Sequence, residues 1–131
     1  YQCLVHAQVS DTTQWKDFLL KDEKTNTVRC VPEGTPSSKL AILKIQKISS
    51  HKLGTLCRVD LDTGRSHQIR VQCAHHGHPL IGDPKYAPQA VAKLADRPAL
   101  HSAYLSFPHP MSKEILSFES PWPQDLKKLL K

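Results

Sequence analysis

Between Gly54 and Leu61 the chain alternates. Thr55, Cys57, Val59 and Leu61 share one face, and Leu56, Arg58 and Asp60 share the other. A period of two predicts a half-buried strand. Residues 39–48 form a second, longer strand whose first half is apolar on both faces, which places it centrally in a sheet. The link between these two strands is short, so they are predicted to be antiparallel neighbours. Upstream, residues 1–9 are rich in strand formers, and residues 26–31 make a brief strand stopped by Pro32. Between them, Asp11 and Gln14 have the spacing of a capping box, and Trp15, Phe18 and Leu19 fall on one helical face. That predicts a short helix ending near residues 21–24. Downstream of Gly64 the pattern predicts a short helix and then a rigid loop over 78–84, shaped by Pro79, Gly82 and Pro84. A second short helix over 89–95, strands over 100–107 and 115–119, and a helical tail over 124–131 complete the chain. The fold class predicted is α+β: a mixed, largely antiparallel sheet with short flanking helices.

At 131 residues the chain is one domain at most, long enough for a single modest core. A net charge of +6 favours a polyanionic partner, which points to nucleic acid. No apolar run approaches membrane-spanning length, and the amino end does not read as a secretory leader. Cys3, Cys30, Cys57 and Cys73 are widely spaced with no Cys-x-x-Cys pair, so reduced, buried thiols are expected rather than disulfides or structural zinc. A cytoplasmic location follows from that reading, with a mitochondrial one open for a eukaryotic source. His75, His76 and His78 run into a proline turn with no cysteine or carboxylate at ligand spacing, so no metal is expected there.

Cations gather at an awkward place. Arg65, His67, Gln68 and Arg70 crowd the first turn of the segment after Gly64. The amino end of a helix is the positive end of its dipole and presents unpaired N–H donors. Such a cluster calls for an anion among the cations, either a carboxylate from elsewhere in the fold or a nucleic-acid phosphate. A solvated basic turn is the plainer alternative. For His67 and Gln68 the structural alternative is satisfaction of buried backbone groups near the turn.

Thr63-Gly64-Arg65-Ser66-His67-Gln68-Ile69-Arg70, followed by His78-Pro79-Leu80-Ile81-Gly82-Asp83-Pro84-Lys85-Tyr86, resembles the signature of the RluA-type RNA pseudouridine synthases. Ser38-Lys39-Leu40-Ala41 is similar to the family's Gly-Lys-x-Ala strand, with serine in place of glycine. Residues 100–110 resemble its Leu-His-Ala-x-x-Leu-x-Phe-x-His-Pro segment, with Ser102 one place before the alanine. The resemblance spans nearly the whole chain. The family's catalytic aspartate lies in a His-Arg-Leu-Asp-x-x-Thr-Ser-Gly string, and that string does not occur here. The chain also does not begin with methionine. The expectation is therefore the carboxy-terminal part of a pseudouridine synthase catalytic domain, its missing amino-terminal half carrying the aspartate.

The resemblance implies a uridine isomerase acting on rRNA or tRNA, without metal, redox cofactor or nucleotide. The N1–C1′ bond breaks, the uracil rotates, and it rejoins through C5. By resemblance Arg65 pairs with the catalytic aspartate, a task suited to a planar bidentate fork. Tyr1 matches the tyrosine that stacks on the target base, with Cys3 where the family has alanine. Leu80 or Ile81 is expected to contribute a floor under the uracil. His67, Arg70 and Lys85 are expected to bind phosphates or shape the cleft. His101 and His109 read as structural. The partner expected is RNA, the protein monomeric, and the 131-residue chain alone inactive. A catalytically silent RNA-binding module with the same fold is the alternative. A zinc hydrolase built on the histidine cluster is a third reading, and it would need stoichiometric metal.

Overall fold

The computed structural model describes residues 1–9 and 12–130. In chain order it contains β1 (Gln2–Val5), β2 (Thr13–Asp22), β3 (Thr27–Val31), β4 (Lys39–Ser50), β5 (Thr55–Leu61), α1 (Gln68–His75), α2 (Gln89–Ala92), β6 (Leu100–His101), β7 (Tyr104–Pro108), β8 (Ile115–Glu119) and α3 (Gln124–Lys127). A 3₁₀ turn at Lys128–Leu130 follows α3. Six strands form one sheet in the order β3-β2-β4-β5-β1-β6, and β7 and β8 form a separate hairpin. Each pairing among the described residues is antiparallel. The predicted β4–β5 pairing is present, with Ile45 opposite Val59, and β4 lies centrally as expected.

Burial explains the alternation in β5. Thr55, Cys57 and Val59 are buried while Arg58 and Asp60 are exposed. On that buried face α1 lays Ile69 and Cys73 against Trp15, Leu43, Ile45 and Val59, with Leu80 closing the cluster. The opposite face is covered near β1, where Leu4 packs with Ile81, Val91, Ala99 and Leu126. β1 is therefore apolar on both sides, while β4 buries one side and exposes Lys44 and Gln46. An isolated helix as short as α1 is marginal in water, so its conformation depends on this packing.

Several predicted elements differ. The helix expected over residues 11–24 is β2 instead, pairing Trp15 with Leu43 and Leu19 with Lys39. Trp15 and Leu19 are spaced for one turn of helix, but they are also two apart in strand period, with Asp17 between them on the same face. The capping-box residue Asp11 lies outside the described residues. The strand expected over 1–9 stops at Val5, and Ala7 takes the left-handed backbone conformation. The single strand expected over 100–107 breaks into β6 and β7. β6 joins the main sheet through Gln2 and Cys3, while β7 pairs only with β8 and is exposed throughout.

The loop between α1 and α2 is pinned from within. Leu80 bridges to Val5, Ile81 N–H donates to the Leu4 carbonyl, and Gly82 takes φ 81°. A Cβ at Gly82 would overlap the Arg97 carbonyl, so glycine is required there by both conformation and space.

Candidate functional site

The turn between β5 and α1 is knitted to β4 by side chains. Thr63 Oγ1 accepts from Ile42 N–H at 3.0 Å and donates to Gln68 Oε1 at 2.9 Å. Gln68 is buried; its Oε1 also accepts from Arg65 N–H, and its Nε2 donates to the Ile42 carbonyl at 3.1 Å. This is the structural role available to a buried amide: it satisfies backbone groups that the turn leaves open. His67 stands at the helix N-cap with φ 53°, and α1 has no acidic residue in its first turn.

The anion called for by the cation cluster comes from inside the fold. Arg70 Nε donates to Asp83 Oδ2 at 2.9 Å and Nη2 to Oδ1 at 2.8 Å, a bidentate pair whose carboxylate is fully buried. Asp83 Oδ1 also accepts from the backbone N–H groups of Lys85 and Tyr86, so one carboxylate holds both α1 and the loop. Burial pushes the Asp83 carboxyl up, but the Arg70 fork and the two N–H donors outweigh it and leave it below its ordinary value. The Arg70 guanidinium lies 5.1 Å from the centre of the Tyr86 ring. The Tyr86 hydroxyl accepts from Val28 N–H and sits 2.6 Å from His67 Nδ1. Burial, followed by the charges of Arg70, Lys85 and Lys21, holds the His67 imidazole below its ordinary value. A neutral imidazole lets Tyr86 O–H donate to Nδ1, which puts the ring proton on Nε2.

Arg65 is different. Its Nε donates to the Leu40 carbonyl at 2.9 Å, and among the described residues no carboxylate lies within ion-pair distance. It borders a hollow of about 360 Å³ lined also by Lys21, Lys39, Glu23, Leu19 and Ser66. Three cations against one carboxylate make that hollow receptive to an anion. Tyr1, 43% exposed, borders a separate and larger hollow of about 890 Å³ with Arg58, Asp60, Tyr104 and Trp122. The two hollows share no lining residue, so Arg65 and Tyr1 are not brought into one cavity. β5 nevertheless links them, since Arg58 and Asp60 line the Tyr1 hollow and the β5–α1 turn carries Arg65.

The other expected site residues have partners of their own. Leu80 and Ile81 are 0% exposed and belong to the two halves of the core, so neither offers a surface to a base. Arg70 is paired with Asp83. Lys85 Nζ donates to the carbonyls of Asn26 and Thr25 and ties down the β2–β3 turn. His67 is held by Tyr86. Sequence reasoning left Asp83 without a role. An acid after glycine in a proline-bounded loop, facing a cation excess one helix away, was the available signal.

The four cysteines are not joined in disulfides; Cys3, Cys57 and Cys73 are buried, and burial pushes the Cys57 thiol up to about 12. No helix among the described residues is long and apolar enough to cross a membrane.

The family described as RNA pseudouridylate synthase matches residues 1–75. The chain is 34% identical over 134 residues to "Uncharacterized RNA pseudouridine synthase YlyB" of Bacillus subtilis, covering 99% of this chain and 42% of that protein. It is 39% identical over 102 residues to "Ribosomal large subunit pseudouridine synthase D" of Neisseria meningitidis, covering 70% of this chain and 27% of that protein. The chain thus spans less than half the length of these curated relatives. Among solved structures, "Human RNA Pseudouridylate Synthase Domain Containing 4" superposes with a TM-score of 0.77 at 18% identity, covering 98% of this chain and 59% of that one. "Human RNA Pseudouridylate Synthase Domain Containing 1" gives 0.75 at 22%, covering 93% and 53%. These two likenesses carry the fold, and the sequence matches carry the family. The α+β sheet, the signature turn and these matches agree: the chain belongs to the RluA-type RNA pseudouridine synthases.

Proposed function

We propose that the protein to which this chain contributes isomerises uridine to pseudouridine in rRNA or tRNA, and that Arg65 receives the catalytic carboxylate. The observation that carries this reading is the contrast within one turn. Arg70 has a buried carboxylate of its own, while Arg65 is anchored by a carbonyl and borders an anion-receptive hollow. A guanidinium fixed through Nε keeps its terminal nitrogens for a second partner, and a bidentate partner is a carboxylate or a phosphate. A carboxylate supplied from outside these 131 residues acts beside the sugar while the base is held out of the stack. Tyr1, exposed at the edge of the larger hollow, is assigned the face of the flipped base. The rRNA assignment is supported by the name of one relative, "Ribosomal large subunit pseudouridine synthase D".

The proposal is tested by tritium release from RNA carrying [5-³H]uridine, because forming the C1′–C5 bond expels the C5 hydrogen. The full-length protein is expected to release tritium and the 131-residue chain alone to release none. Robust release by the chain alone overturns the assignment of the carboxylate to a segment outside it. The second reading, a silent RNA-binding module, predicts RNA binding with no release from either form.

A further inference from the structure

At the carboxy-terminal end of α1, Asp17 of β2 meets His75 and His76. His76 Nε2 lies 2.9 Å from Asp17 Oδ2, and His75 Nε2 lies 4.0 Å from Oδ1, so each carboxylate oxygen faces a different imidazole. The three donor atoms fall within 4.8 Å of one another. Spacing along the sequence suggested no carboxylate for these histidines, and strand β2 supplies one from 58 residues upstream of His75.

The surroundings fix the three side chains. Gln72, fully buried one turn before His76, donates from Nε2 to Asp17 Oδ2 at 2.9 Å and to the Ala41 carbonyl at 3.2 Å, with the Trp15 carbonyl at 3.5 Å. All three neighbours are acceptors, so the amide nitrogen must face them. The cost is visible: Gln72 Oε1 is left buried without a partner. An amide committed in this way orients the carboxylate, as an outer-shell partner does in metal sites. The His76 ring stacks on Trp15 with centroids 4.2 Å apart and planes 6° apart, which fixes its direction. His75 is 51% exposed and leaves one side open to water. His78, turned to the His6 carbonyl, stands outside the group.

We propose that Asp17, His75 and His76 form a site for a divalent metal of the zinc class, with water completing the coordination. Two imidazole nitrogens and one carboxylate select borderline transition ions over magnesium or calcium, which take oxygen ligands. The ion takes the place of the His76–Asp17 hydrogen bond, with the single ring proton of the neutral imidazole on Nδ1. It would fasten the end of α1 to β2, at the opposite end of the helix from Arg65. This assignment is independent of the isomerase proposal and stands or falls separately.

Titration calorimetry of the chain with zinc chloride is expected to show one equivalent bound. His75→Asn, at an exposed position that leaves the core alone, should weaken binding tenfold or more, and Gln72→Leu by roughly 10- to 100-fold. Zinc should raise the melting temperature of the wild type and leave that of a His75→Asn/His76→Asn variant unmoved. Equal affinity and stoichiometry in the wild type and that variant overturns the site, as does an absence of both heat and melting shift in the wild type. Should the double variant fail to fold, cobalt(II) decides on the wild type. Visible bands of nitrogen and oxygen ligation support the site; a thiolate charge-transfer band, or no bands, refutes it.

Discussion

Arg65 and Arg70 leave the same turn five residues apart, and the fold treats them in opposite ways. Arg70 meets a fully buried carboxylate through both arms of its fork, and that carboxylate also caps the backbone of Lys85 and Tyr86. Arg65 is fixed at one nitrogen by the Leu40 carbonyl and otherwise borders a hollow lined by Lys21 and Lys39. A basic cluster in a sequence therefore divides into a structural cation and an available one, and only the partner distinguishes them. The Arg70–Asp83 pair ties α1 to the loop at Lys85 and Tyr86, while Arg65 is placed by the Leu40 carbonyl and the Gln68 amide.

Removing the structural half should have the largest effect on stability. Asp83→Ala leaves a part-buried guanidinium and two backbone N–H groups without their acceptor. We expect a loss of about 3–5 kcal/mol in chemical denaturation, the range for breaking a buried ion pair. An effect below about 1 kcal/mol, the range of exposed pairs, would mean that Asp83 does not hold α1 to the loop.

A smaller effect sharpens the same comparison through pH. The His67 imidazole is held below its ordinary value of 6.5 in the fold, so the unfolded chain binds a proton there first. Stability should then fall as pH drops below about 6.5, until the folded imidazole also titrates. Asp83, depressed below 3.8, contributes stability that is present above that value and lost as pH falls through its folded value. Melting temperature against pH should show the upper limb in the wild type and not in His67→Asn, since asparagine tolerates the left-handed backbone at that position. A limb of equal size in both would assign it to another histidine.

The parts of the fold legible in the sequence are those where local pattern and tertiary burial agree. β5 alternates because one face is buried and the other is exposed, and β4 is central where its residues are most apolar. β2 was hidden because Asp17 occupies an inward-facing position between Trp15 and Leu19. That polar residue is accommodated by Gln72 and His76, neither near it in sequence, and without them the helical period looks the better match. The strand over 100–107 was read as continuous because apolar residues run through it, yet Leu105 and Phe107 are exposed on the β7–β8 hairpin. The signature located the turn between β5 and α1. It did not distinguish side chains that hold the loop, such as Leu80, Ile81, Arg70 and Lys85, from those left free, because that sorting depends on contacts across 13 to 77 residues.

The most direct test of the Arg65 assignment is tritium release by the full-length protein carrying Arg65→Met, measured alongside its RNA affinity and melting temperature. Losing a charge that orients and stabilises the reacting carboxylate should lower turnover by roughly 10²–10³-fold, with affinity within a few-fold and the fold intact. Normal turnover with a large loss of affinity would make Arg65 a phosphate contact and contradict the assignment.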